Sequence, residues 1–134
     1  MNENAIATLI VDAAYHIHRD IGPGLLESVY ERILAHEIRS RGLEIARQVV
    51  VPIHYRGERF DEGFRADIIV AGAVIVELKS TETNHTIHAK QLRTCLKLTG
   101  LRLGLVVNFG LDLIKEGITR VVNGLPEEGP RREQ

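Results

Sequence analysis

Ala66-Asp67-Ile68-Ile69-Val70, a turn-like Ala71-Gly72, and then Val74-Ile75-Val76-Glu77-Leu78-Lys79 form the stretch that decides how this chain is read. Both runs are strand-like, and both carry charge where a buried strand is otherwise apolar. Asp67 sits in the first; Glu77 and Lys79 sit in the second, two residues apart, so strand geometry puts them on one face. A buried charge is costly unless a partner or a metal compensates. Two uses fit this pattern. One is a structural salt bridge between strand ends. The other is a divalent cation held by Asp67 and Glu77, with Lys79 beside the reacting atoms.

Working outward, the periodicity on either side places these strands in an α/β chain. Ile6, Leu9, Ile10, Ala13, Ala14 and Ile17 recur at helical spacing, predicting an amphipathic helix over residues 3–19 that Gly22-Pro23-Gly24 breaks. A second helix carries Leu26, Val29, Tyr30, Ile33, Leu34 and Ile38 as its expected buried stripe and stops at Gly42. Val49, Val51, Ile53 and Tyr55 alternate as a strand, with Pro52 indicating an edge position or a bulge. Arg56-Gly57-Glu58 reads as a hairpin turn, residues 59–70 as the second strand and 73–80 as the third. Thr81 to His85 is a polar loop. Ile87, Gln91, Leu92, Cys95, Leu96 and Thr99 then mark a third helix closed by Gly100. Strands over Leu103–Phe109 and Ile118–Val122 complete the order, which predicts a central mixed β-sheet with helices on its faces.

Composition bounds the class. At 134 residues the chain is long enough for one core and too short for two. Residues 1–125 read as one domain and 126–134 as a charged, frayed tail. The formal net charge of -1 supplies no global field toward nucleic acid or an anionic membrane. Cys95 is the only cysteine, which excludes an internal disulfide. With acid at Glu3 where a secretory leader carries base, this predicts a cytoplasmic protein. No apolar run approaches the roughly 20 residues of a membrane helix.

Gly24-Leu25-Leu26-Glu27-Ser28-Val29-Tyr30, then Asp67, Glu77-Leu78-Lys79, Lys90-Gln91-Leu92, Leu98-Thr99-Gly100 and Val106-Val107-Asn108-Phe109-Gly110 follow one another in the order of the GxxExxY family. The resemblance runs from about Gly22 to Gly110. That family is similar to a branch of the PD-(D/E)XK nuclease-like superfamily. The likeness therefore implies a restriction-endonuclease-like core and a Mg²⁺-dependent nuclease, with Mn²⁺ as a substitute. It makes Asp67, Glu77 and the main-chain carbonyl of Leu78 metal ligands, with Glu27 as a further acid bound directly or through water. It sets Lys79 on the attacking water or the phosphate and points Gln91 at the same site. Tyr30 and His88 join Gln91 as candidate substrate contacts. The partner implied is nucleic acid, DNA ahead of RNA, and a homodimer is expected through the first helix or the edge near Val49 to Ile53. Two positions depart from the pattern: Ala66 stands where proline is usual, and Cys95 where an aromatic residue is expected.

Taken singly, several of these residues have plainer roles. An acid such as Glu27 is favoured in the first turn of any helix. Tyr30 reads as a half-buried core residue, and Cys95 as core. His16 and His18, two apart on a helix, point to different sides. His85 and His88 have a spacing that suits a shared metal but lack a second pair for a tetrahedral site. Two rival functions accompany the nuclease reading. One is a catalytically silent nuclease-fold module that binds nucleic acid or a protein partner. The other is a metal-dependent hydrolase of a smaller phosphate compound.

Overall fold

The computed structural model describes residues 1–126. Except for Pro126, the segment expected to be a frayed tail lies outside the described residues. The elements run α1 (Glu3–Ile21), α2 (Glu27–Ser40), β1 (Ile45–Tyr55), β2 (Glu58–Val70), β3 (Val74–Lys79), α3 (Thr86–Thr99), β4 (Leu103–Asn108), α4 (Ile114–Gly117) and β5 (Ile118–Val122). They build one sheet in the order β1-β2-β3-β4-β5. Only β3 and β4 are parallel, joined by the α3 crossover; every other neighbour is antiparallel. Helices α1 and α2 cover one face through Ile10, Ala14, Leu34 and Ile38 against Ile68, Val76 and Val107. Helix α3 covers the other through Leu92, Cys95 and Leu96 against Ile75 and Val106. The expected mixed sheet with helices on both faces is the one observed.

Local chemistry explains the boundaries. Asn2 caps α1 by accepting the Ala5 N–H at 2.8 Å, and Glu3 adds acid to the first turn. Pro52 sits on an edge strand and also at a register shift between Val51 and Ile53, so both expectations for it hold. Strand β1 starts at Ile45, four residues before the alternation begins. The buried stripe of α2 is narrower than its sequence predicts. Leu26 is the N-cap residue and 74% exposed, and Val29 is also exposed, because the chain enters the helix from the solvent side. The single turn α4 was not expected; four residues are too few to register a helical period.

Past β3, the loop over Ser80 to His85 is held by one buried side chain. Asn108 Oδ1 accepts the N–H groups of Thr81 (3.0 Å) and Gly110 (2.9 Å), while Nδ2 donates to Thr81 Oγ1 and Asn84 Oδ1, both at 3.1 Å. That closeness requires glycine at position 110, since a Cβ there would overlap the Thr81 backbone. Gly110→Ala is expected to cost about 3 kcal/mol of stability in urea denaturation. A loss under about 0.5 kcal/mol would mean that the loop yields freely.

Candidate active site

Strands β2 and β3 pair through Val70↔Val74, Ile69↔Ile75 and Ile68↔Val76. The next opposed pair is Asp67 and Glu77, and there the ladder stops. Side chains replace the missing backbone bonds. The Leu78 N–H donates to Asp67 Oδ2 at 2.8 Å, and the Asp67 N–H donates to Glu77 Oε2 at 3.3 Å. The two carboxylates thus occupy the fork where the strands part. Residues of a strand present N–H and C=O on the same side, so the Leu78 carbonyl also points into this fork.

The electrostatics follow from that placement. Burial, then the charge and hydrogen bonding of Asp67, push the Glu77 carboxyl up to about 9; Lys79 opposes this only in part. Below that pH Glu77 carries a proton. Cys95 lies in the core beneath α3, and burial, reinforced by the Glu77 charge, raises its thiol to about 12, so it serves as inert core. Among the described residues no salt bridge joins Lys79 to either carboxylate, which removes the structural ion-pair reading.

Lys79 instead borders a cavity of about 170 Å³ together with His85, His88 and Asn108. Burial, then the positive charge of Lys79 and His85, hold His88 below the usual imidazole range, while Gln91 and Glu27 act in the opposite direction. Lys79, Gln91 and Glu27 are thus each near enough to His88 to act on it. The His85 and His88 rings meet edge to face at 5.7 Å, and His88 Nδ1 is buried without a hydrogen-bond partner. Gln91 is exposed on α3 and also borders the groove between that helix and the β1–β2 hairpin.

The two remaining candidates lie on α2. Glu27 is exposed at the start of α2, and among the described residues no three His, Cys, Asp or Glu side chains converge as a metal cage. Tyr30 has no surface to offer a substrate. It is fully buried, stacked on Phe109 at 4.4 Å, and its hydroxyl donates to the Gly22 carbonyl at 2.5 Å and accepts the Leu25 N–H at 3.3 Å. Ser80 ties the same loop to the end of β3 by donating to the Leu25 carbonyl at 2.6 Å. The Gly-x-x-Glu-x-x-Tyr spacing thereby gains a physical account: Tyr30 anchors the turn from which Glu27 is presented. Tyr30→Phe is expected to cost about 1–2 kcal/mol of stability with metal affinity unchanged. A changed KM at unaltered stability would instead restore a substrate role.

The sequence reading missed a second layer behind Asp67. Glu31 on α2 is only 4% exposed and accepts from Arg47 Nε at 2.9 Å and Gln48 Nε2 at 2.8 Å. The one available signal was an acid on an otherwise apolar helix stripe, beside Tyr30 and Leu34.

The donor set suits a hard cation of the Mg²⁺ type, which is commonly held by one or two carboxylates and keeps several waters. Asp67, Glu77 and the Leu78 carbonyl all offer oxygen, and the costly closeness of the two acids is what a divalent charge would relieve. No described helix is long and apolar enough to cross a membrane. No curated protein and no solved structure gives a significant match to this sequence. The family model of the PD-(D/E)XK nuclease superfamily matches residues 4–121. With the fork of carboxylates, the lysine two residues on and the mixed sheet between helices, the chain belongs to the PD-(D/E)XK nuclease superfamily.

Proposed function

We propose that this protein hydrolyses phosphodiester bonds in nucleic acid, DNA ahead of RNA, with Mg²⁺ as cofactor and Mn²⁺ as substitute. The observation that carries the reading is the Asp67–Glu77 pair at the fork of β2 and β3 with Lys79 alongside. Asp67, Glu77 and the Leu78 carbonyl would hold the cation, which supplies a more acidic water and offsets charge on the phosphate. Lys79 acts as a point charge on a non-bridging phosphate oxygen or on the attacking water. His88 and Gln91, on the same side of the site, contact the substrate backbone. Glu27 reaches the cation through water.

We take residues 1–125 as one domain and place the protein in the cytoplasm, where its lone buried cysteine stays reduced. A single small domain offers a duplex little grip, so pairing of two copies belongs to the proposal. The exposed edge strand β1, with Val50 43% exposed, is the surface for it. Light scattering at micromolar concentration is expected to give a dimer mass; a monomer removes that part alone.

The central test is cleavage of single-stranded, duplex and branched DNA and RNA in Mg²⁺ or Mn²⁺, with Lys79→Ala as control. Cation-dependent cutting by the wild type and its loss in the variant are expected. Metal binding without cutting of any substrate would make the chain a silent nuclease-fold binding module. Cutting of small phosphate esters alone would make it a hydrolase of smaller compounds.

A further inference from the structure

Gln48 lies directly across from Asp67, between the paired positions Arg47↔Ile68 and Val49↔Ala66. Its backbone is left-handed, with φ 53 in the middle of an 11-residue strand. For a glutamine this conformation costs free energy and persists only where something holds it. Packing does not hold it, because Gln48 is exposed. Its side chain makes two contacts, both with carboxylates: Nε2 stands 2.8 Å from Glu31 Oε1 and 3.5 Å from Asp67 Oδ1. Only the NH₂ end of an amide suits two carboxylate oxygens at once, so the orientation of the amide is fixed by chemistry. Glu31 is in turn locked by burial and by Arg47.

The backbone geometry has its own effect at the same point. Along β2, Phe64 and Ala66 pack in the α3 layer, while Ile68 and Val70 pack in the α1–α2 layer. Even-numbered positions thus change face at Asp67, opposite the left-handed residue. The bend turns Asp67 into the fork, and the amide then meets the carboxylate oxygen that Leu78 leaves free. Each Asp67 oxygen keeps a lone pair for a cation.

We infer that Gln48 is a positioning residue for the metal centre: anchored through Glu31 and Arg47, it aims the Asp67 carboxylate into the fork between β2 and β3. The inference rests on the reading of Asp67 as a cation ligand. Outer groups of this kind are worth about 10–100-fold in metal affinity or activity when removed. It makes Gln48, Glu31 and Arg47 part of the site although none of them touches the substrate.

Gln48→Gly is the informative substitution, because glycine tolerates the left-handed backbone and keeps the bend while deleting the amide. The melting temperature is expected to stay level or rise. Mn²⁺ affinity, read by titration calorimetry on the full chain, is expected to fall about 10–100-fold. The backbone amide proton of Leu78, which reports its bond to Asp67 without any metal, is expected to shift in NMR spectra. Gln48→Asn, an amide one methylene shorter, is expected to behave like Gln48→Gly. Gln48→Gly with wild-type Mn²⁺ affinity and an unmoved Leu78 amide overturns the inference. A wild type that binds no Mn²⁺, with the Leu78 amide still shifting in Gln48→Gly, overturns the metal-centre reading while leaving Gln48 as the residue that orients Asp67.

Discussion

Asp67→Ala and Glu77→Ala are each expected to lose metal binding and cleavage together, while Lys79→Ala loses cleavage alone. The two acids stand opposite each other where the β2–β3 ladder opens, and each replaces a backbone bond of the other's strand. Deleting either leaves one carboxylate and one carbonyl and halves the negative charge that draws the cation into the fork. Lys79 stands on the same face, one pleat further on, and forms no salt bridge with either acid. Its removal takes a positive charge away from a cation site, so Mg²⁺ affinity stays level or rises. Cleavage is expected to fall about 10²- to 10³-fold, the effect of deleting one preorganised electrostatic group. Gln91→Ala is expected to be milder, since an exposed amide can only orient. Calorimetry and single-turnover cleavage, run on the same preparations, check all four variants. Lys79→Ala that cuts like wild type would remove the lysine from the mechanism and leave the metal centre standing.

Much of this geometry was legible in the sequence because the β2–β3 hairpin is symmetric about its turn. Asp67 lies three residues before Val70 and Glu77 three after Val74, and Val70 pairs with Val74. The three-residue turn Ala71-Gly72-Ala73 therefore brings the two acids face to face, whereas a turn one residue shorter would set Asp67 opposite Val76. Lys79 follows from the period of two, and the helices from their apolar stripes. Local patterning could not supply the layer behind Asp67. Arg47, Gln48 and Glu31 belong to none of the quoted motifs, and they gather behind Asp67 only through the β1–β2 register and the docking of α2. Asn108 is similar: in sequence it interrupts the apolar run of β4, and its purpose appears only when five polar groups of two loops gather around it. Tyr30 shows the opposite error, a motif residue given a substrate contact when its work is to hold the turn that carries Glu27.

Metal binding at neutral pH is expected to release about one proton, because Glu77 holds one until the cation arrives. The folded, metal-free protein keeps Glu77 protonated up to about 9, whereas an unfolded chain ionises it near the ordinary carboxylate value of about 4.3. Between those limits the native state binds more protons than the unfolded one, so this group makes stability fall as pH rises. The full slope is about 1.4 kcal/mol per pH unit, and the loss levels off above about pH 9. Glu77→Gln keeps the neutral shape without the titration. It is therefore expected to match wild type near pH 4 and to exceed it by a few kcal/mol at pH 8 in the absence of metal. The cation needs the carboxylate, so Mg²⁺ affinity of the wild type is expected to rise up to tenfold per pH unit from about 5 toward 9, then flatten. Calorimetry at pH 7 in two buffers of unlike ionisation enthalpy counts the released proton directly. An affinity that is flat from pH 6 to 8, with no proton released, would mean that Glu77 is already ionised and that the fork is more open to water than its burial implies.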